Sequence, residues 1–168
     1  MLGPDYSYTP EDILLPSVFE KKITILERDR LLRKIAQTQG IDFRLYTNSK
    51  TDIKNRGTVD YATKMPIVFN KSRINLNISL RSIHSGIPLR VIDIMACGGF
   101  VLSNYQKEIA ELFEEDREVV MFRSKEEAIE KIRYYLDNEE ERAAIARAGY
   151  EAVKERFGYK ERLAGLFG

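Results

Sequence analysis

Residues 73–103 read RINLNISLRSIHSGIPLRVIDIMACGGFVLS, and this stretch decides the fold. From Arg73 to Ser79, Ile74, Leu76 and Ile78 alternate with polar residues, the period-two pattern of a strand. The loop Leu80 to Ile87 carries Ser85 and Gly86. Pro88 then opens a helix, because the N–H it lacks is one that a helix start leaves unpaired anyway. Val91, Ile92, Met95 and Ala96 continue that helix, and Gly98 and Gly99 close it with a stop and a tight turn. Phe100 to Ser103 is the next strand.

The alternation continues on both sides. Upstream, Thr24 and Glu27 form a T-x-x-E capping box for a helix through Leu31, Leu32 and Ile35 that stops near Gly40. Ile41 to Tyr46 reads as a strand, 47–57 as a polar loop and Thr58 to Tyr61 as a short second strand. Pro66 opens a short helix ending near Ser72. Downstream come a helix from Lys107 to Phe113, a strand from Glu118 to Phe122, and two final helices. Ser124 and Glu127 cap the first of these, with Ile129, Ile132 and Leu136 inside. Asn138 and Glu141 can cap the second, with Ile145, Ala152, Val153 and Phe157 inside and Gly158 at its end. Short strands alternating with helices predict an α/β domain with a parallel sheet covered on both faces. Right-handed crossovers make it a Rossmann-like, doubly wound fold. Ligands of such sheets bind beyond the carboxyl ends of the strands, which selects loops 47–57, 79–88 and 103–107.

Composition bounds the partners. The chain has 168 residues, enough for one sizeable domain, and its 43% apolar content supports a packed core. With 27 basic and 26 acidic residues the net charge is +1, which gives no electrostatic case for nucleic acid or an anionic membrane. Cys97 is the single cysteine, so no internal disulfide forms and a cytoplasmic setting fits. A lone His and a lone Cys argue against a metal site. No apolar run approaches the roughly 20 residues of a transmembrane segment. The opening MLGPDYSYTPEDILLP, acidic and punctuated by Pro4, Pro10 and Pro16, is neither signal nor transit peptide and reads as an extended or briefly helical linker. These features divide the chain into a linker and lead-in helix at 1–40 and a Rossmann-like domain at 41–168.

The Pro88 helix carries the chemistry. Its first turn presents unpaired N–H groups and the positive end of the dipole, a setting suited to phosphate. The dipole supplies only about 0.3–1 kcal/mol when exposed, so it does not specify a ligand alone. Arg90 adds a planar fork that chelates phosphate oxygens, and Gly86 lets a ligand approach the backbone closely. Asp93, between Ile92 and Ile94, can accept two hydrogen bonds from a vicinal diol such as a ribose. The alternative is a water-exposed acid favoured by the helix dipole. His84, the single histidine, is either a phosphate contact or an ordinary loop residue.

The run GIPLRVIDIMACGGFVL resembles the C-terminal domain of GT-B glycosyltransferases of group 1, whose pattern G-x-P-x-x-x-x-E-A-M-A-C-G-x-P-V it matches at Gly86, Pro88, Met95, Ala96, Cys97 and Gly98. It is closer still to the CgeB-like spore-maturation branch, in which a K-I-N-L-N strand precedes an R-V-F-(D/E) helix. Arg73-Ile74-Asn75-Leu76-Asn77 and Arg90-Val91-Ile92-Asp93 are the counterparts here. The downstream stretch EEAIEKIRYYLDNEEERAAIARAGYEAVKERF is similar to that family's helical tail.

The resemblance implies a nucleotide-diphosphate sugar as donor substrate, with no further cofactor and no metal. It implies that Asp93 binds the ribose hydroxyls. The turn from His84, Ser85 and Gly86 to Leu89 and Arg90 would hold the diphosphate. Arg90 would act catalytically by stabilising the leaving group. Two departures stand out: Asp93 replaces the usual Glu, and Ser85 occupies the position of a second acid in retaining members. Acceptor-side groups belong to an N-terminal domain in this family, so the chain is expected to bind donor but not to turn over alone. A non-catalytic Rossmann-like module that binds plain nucleotide or a protein partner is the alternative. A receiver-like signalling domain lacks its paired acids here.

Other residues have plainer readings. Cys97 reads as a small core residue, and Asn75 and Asn77 either cover a cleft or pair with backbone. Tyr46 and Asn48 fit a turn or a ligand contact. Tyr134, Tyr135 and Tyr150 fit helix packing, and EEDRE (114–118) and EEERA (139–143) read as solvated helix ends.

Overall fold

Three short strands, β1 (Asn75–Asn77), β2 (Val101–Asn104) and β3 (Val120–Phe122), form a parallel sheet in the order β1-β2-β3. The computed structural model describes residues 10–79 and 88–158, and side chains from residue 22 onward. Asn75 pairs with Val101 and Leu102 with Val120, so the strands run in step and their carboxyl ends share one edge. Among the described residues six helices surround the sheet: α1 (Pro10–Gln37), α2 (Met65–Lys71), α3 (Leu89–Ala96), α4 (Lys107–Leu112), α5 (Lys125–Asp137) and α6 (Glu139–Phe157). This is the Rossmann-like α/β architecture expected, with helical segments at both ends.

Strand alternation divides the core into two layers. Leu102, Val120 and Phe122 pack on one face against Leu31 and Ile35 of α1 and Ile129 and Ile132 of α5. Val101, Val119 and Met121 pack on the other against Phe69, Val91, Ile94, Met95 and Ile109. Helix α6 serves both layers, with Ile145 in the first and Ala152 and Val153 in the second. Gly149 lies between them, where a Cβ would sit 2.6 Å from the Glu118 carbonyl oxygen and 3.0 Å from Met95 Cε. Gly98, at φ +70°, takes the left-handed conformation that ends α3. Gly99 is needed for close packing instead, since its Cβ would meet Asn75 Nδ2 and the Phe69 oxygen at 2.8 Å.

Several local expectations are corrected. Helix α1 already starts at Pro10, so Thr24 is buried in mid-helix and the 24/27 pair is no N-terminal box. Packing of Leu31 and Ile35 outweighs the local cap signal. Ile41–Tyr46 is not a strand: Leu45 makes one isolated bridge to Asn55. Asn55 folds the loop back instead, its side chain bonding Thr47 N at 3.2 Å and Thr47 O at 2.7 Å. Thr58–Tyr61 is not a strand either, because Asp60 starts a turn that captures Thr63 N at 2.7 Å and Met65 N at 2.9 Å. Asn138 does not cap α6 through its side chain, which reaches back to the Tyr134 carbonyl at the end of α5. Ser124 does cap α5, accepting Glu127 N at 3.0 Å.

The two charged stretches are not simply solvated. Glu115 holds both Arg123 terminal nitrogens at 2.8 Å, Glu118 holds Arg156, and Arg142 is buried. Tyr135 is core, its ring tilted 48° to that of Phe100 at 4.8 Å, whereas Tyr134 is half exposed and donates to Glu141. Asn75 and Asn77 are buried. Asn75 donates to the Phe69 and Phe100 carbonyls, and Asn77 to the hydroxyls of Ser79 and Ser103. Among the described residues no helix is long and apolar enough to cross a membrane.

Candidate functional site

Helix α3 is positioned by its apolar face. Val91, Ile94 and Met95 are buried against the sheet and α6, so the opposite side of the helix faces outward. Pro88 stands at the N-cap, and among the described residues no side chain caps the turn. Val91 N bonds back to Pro88 O at 2.9 Å. The remaining first-turn amides carry the partial positive charge of a helix start. Leu89 is 75% exposed, and Arg90 is exposed as well. His84, Ser85 and Gly86 lie outside the described residues.

Asp93 sits in the second turn and is half-buried. The dipole acts mainly within the first turn, so a purely dipole-favoured surface acid is a poor description of it. The hydroxyl of Tyr61 donates a hydrogen bond to Asp93 Oδ2. Oδ1 has no partner among the described residues. The bond to the Asp93 carboxylate raises the Tyr61 phenol above its ordinary value; partial burial and the Asp93 charge add to this, and the nearby Arg90 cation opposes it.

Tyr61 was not singled out in the sequence, where it ends an expected strand. The partners are 32 residues apart, and no local pattern joins them. Cys97, one turn beyond Asp93, is half-buried. Burial and then the Asp93 charge push its thiol up, which disfavours a thiolate and fits a packing role.

A larger cleft of about 620 Å³ opens at the carboxyl edge of the sheet. Ser79, Asn104 and Gln106 form its polar wall, and Tyr105, Arg123 and Ser124 contribute from the next loops. Loops 79–88 and 103–107 were expected at this edge, and Ser79 and Asn104 to Lys107 do line the cleft. Loop 47–57 contributes nothing to it, and residues 122–126, which do, were not anticipated. Arg123 lies 4.5 Å over the Tyr105 ring while holding Glu115, so its charge is already engaged. Tyr46 and Asn48 do not line the cleft, and neither does Asp93.

The arrangement is a Rossmann-like sheet edge carrying a helix start, an adjacent guanidinium and a carboxylate with spare acceptor capacity. The class it defines is a Rossmann-like α/β domain. The family comparison is narrower. The glycosyl transferase-like family model matches residues 28–168, and the chain belongs to that family. No curated protein matches the sequence.

Proposed function

We propose that this chain is the donor-binding domain of a GT-B-type glycosyltransferase, possessing the grip for a nucleotide-diphosphate sugar on α3. The observation that carries the reading is Asp93: a half-buried carboxylate with one oxygen held and the other unpartnered among the described residues. Such a group suits the vicinal hydroxyls of a ribose, because a carboxylate has about four lone-pair sites to offer. Arg90, one turn closer to the helix start, takes the diphosphate together with the turn through His84, Ser85, Gly86 and Leu89. Family membership supports a sugar donor over a plain metabolite.

The reaction breaks the bond from the anomeric carbon to the diphosphate. Negative charge then grows on the leaving phosphate, and a positioned guanidinium with helix-start amides stabilises it in place. Arg90 is the catalytic residue in this account. The groups that activate the acceptor belong to a partner domain, as in two-domain enzymes of the family, so donor binding without turnover is the behaviour expected of this chain. The closer kinship with the CgeB-like branch belongs to the same proposal.

Calorimetric titration of the chain with UDP, GDP and their sugars tests the reading. Saturable binding that Arg90→Ala weakens about tenfold supports it, the loss of one charge-assisted phosphate contact. A folded chain that binds none of these ligands would instead favour a module that keeps the fold and recognises a protein.

A further inference from the structure

We infer that Tyr61 is a positioning residue, which orients the Asp93 carboxylate to receive a vicinal diol; this rests on the donor-site reading above. An aspartate on a helix turns about two side-chain bonds, and its carboxylate plane is otherwise undefined on a half-exposed surface. The Tyr61 hydroxyl removes that freedom by donating to Oδ2. It consumes one of about four acceptor sites and, among the described residues, leaves Oδ1 without a partner, so orientation is gained while the capacity for two sugar hydroxyls remains.

The placement of Tyr61 is itself built. Asp60 accepts Thr63 N at 2.7 Å and Thr63 Oγ1 at 2.5 Å through one carboxylate oxygen, and its carbonyl takes Lys64 N at 3.1 Å and Met65 N at 2.9 Å. This fixes the turn that carries Tyr61 at the start of α2. Helix α2 packs on α3, the helix that bears Asp93. The Tyr61 ring is 59% exposed, so core packing does not dictate its position. Its hydroxyl has Asp93 as its one hydrogen-bond partner among the described residues. An exposed aromatic ring anchored by its hydroxyl to a carboxylate that keeps an open edge holds that carboxylate ready before a ligand arrives, and such preorganisation raises affinity by lowering the ordering cost.

The test uses the full chain and a ligand pair that differs only in the diol. UDP, GDP and ADP are titrated by calorimetry, and the tightest is compared with its 2′,3′-dideoxy counterpart. Tyr61→Phe is expected to weaken the ribonucleotide about 5–10-fold and to leave the dideoxy ligand within about twofold, the loss of one oriented hydrogen bond read through the diol. Circular dichroism and Tm establish that the variant folds. Equal losses on both ligands would show a general structural effect and overturn the inference. So would unchanged or tighter ribonucleotide binding, the latter marking Tyr61 as a competitor for the carboxylate. A folded wild-type chain that binds none of the three, or binds ribo and dideoxy ligands alike, would instead overturn the donor-site reading, and the inference would fall with it.

Discussion

Two carboxylates in this molecule are used in opposite ways. Glu118, on the loop before β3, keeps only 12% of its side chain exposed and engages both oxygens: Arg156 at 2.7 and 2.9 Å, and Glu114 N at 3.0 Å. Asp93, on α3, is half-buried yet commits one oxygen to Tyr61, and its other oxygen has no partner among the described residues. A carboxylate whose acceptor sites are filled by its own chain is part of the scaffold. One with spare capacity beside a helix start is available to something else. The contrast separates a carboxylate engaged through both oxygens from one that the donor-site proposal assigns to a ligand, and it can be attacked from either side.

The largest effect is expected on the scaffold side. Gly149→Val drives a branched Cβ into the Glu118 carbonyl, which lies 2.6 Å from the position a Cβ would take. Backbone yields less readily than the tip of a side chain, so α6 must shift off Met95 and the loop before β3. A loss of about 3 kcal/mol or more follows, read as a fall in the urea midpoint.

Next in size is Asp93→Ala. If its capacity is reserved for a diol, the variant keeps its stability within about 0.5 kcal/mol while nucleoside diphosphate affinity falls about 100-fold. A variant that unfolds early but binds normally would place Asp93 with Glu118 and erase the contrast. Denaturation and calorimetry on one preparation decide it.

Arg156→Met is smaller. Methionine keeps an unbranched stem but removes the guanidinium that lies 5.6 Å over the Phe113 ring and strips Glu118 of its cation. An ion pair that is buried on one side and partly solvated on the other falls between the surface and interior limits, so about 2 kcal/mol is expected. The pH dependence sharpens this. Burial pushes the Glu118 carboxyl up, but the bonds and charge of Arg156 and the Glu114 amide outweigh it and hold the group below its ordinary value of 4.5. A carboxyl depressed in the folded state contributes stability that is fully present above its unfolded value and is lost as pH falls through the folded one. The Tm gap between wild type and Arg156→Met is therefore constant at neutral pH and closes below about pH 4.5.

The sequence was most legible where local chemistry and tertiary structure agree. Residues 73–103 combine a period-two run, a proline at a helix start and glycines after its end. β1, α3 and β2 fall within a residue or two of where those signals put them. The carboxyl-edge rule likewise located Ser79 and Asn104. The misses share one cause, side chains acting across distance. Asn55 folds loop 47–57 back beside Ile41–Tyr46, which reads as a strand, Asp60 turns Thr58–Tyr61 out of another, and Leu31 and Ile35 hold together a helix that local caps would have cut short. Glu115 and Glu118 look like solvated acids until Arg123 and Arg156 arrive from elsewhere in the chain. At the candidate site, Asp93 and Arg90 were visible because they interrupt an apolar helix, whereas Tyr61 became visible only when the fold brought it to Asp93.

The smallest effect tests the boundary between the two uses of polar groups, at Ser124. This serine lines the carboxyl-edge cleft, yet its Oγ accepts Glu127 N at 3.0 Å, and the Glu127 carboxylate accepts Arg123 N at 2.7 Å. The reciprocal arrangement satisfies two donors at the start of α5, the logic of a capping box displaced by one residue at its return bond. A hydroxyl so committed behaves like Glu118 even though it faces a cleft. Ser124→Ala should lower stability by about 1 kcal/mol, and Ser124→Asp, which can still cap, should restore most of it. Neither should change nucleotide affinity by more than about twofold, because the donor reading assigns the ligand to α3 and not to this edge. A tenfold loss of nucleotide binding in Ser124→Ala, with the helix intact, would move the ligand into the cleft beneath α1. It would leave Asp93, like Glu118, a structural carboxylate.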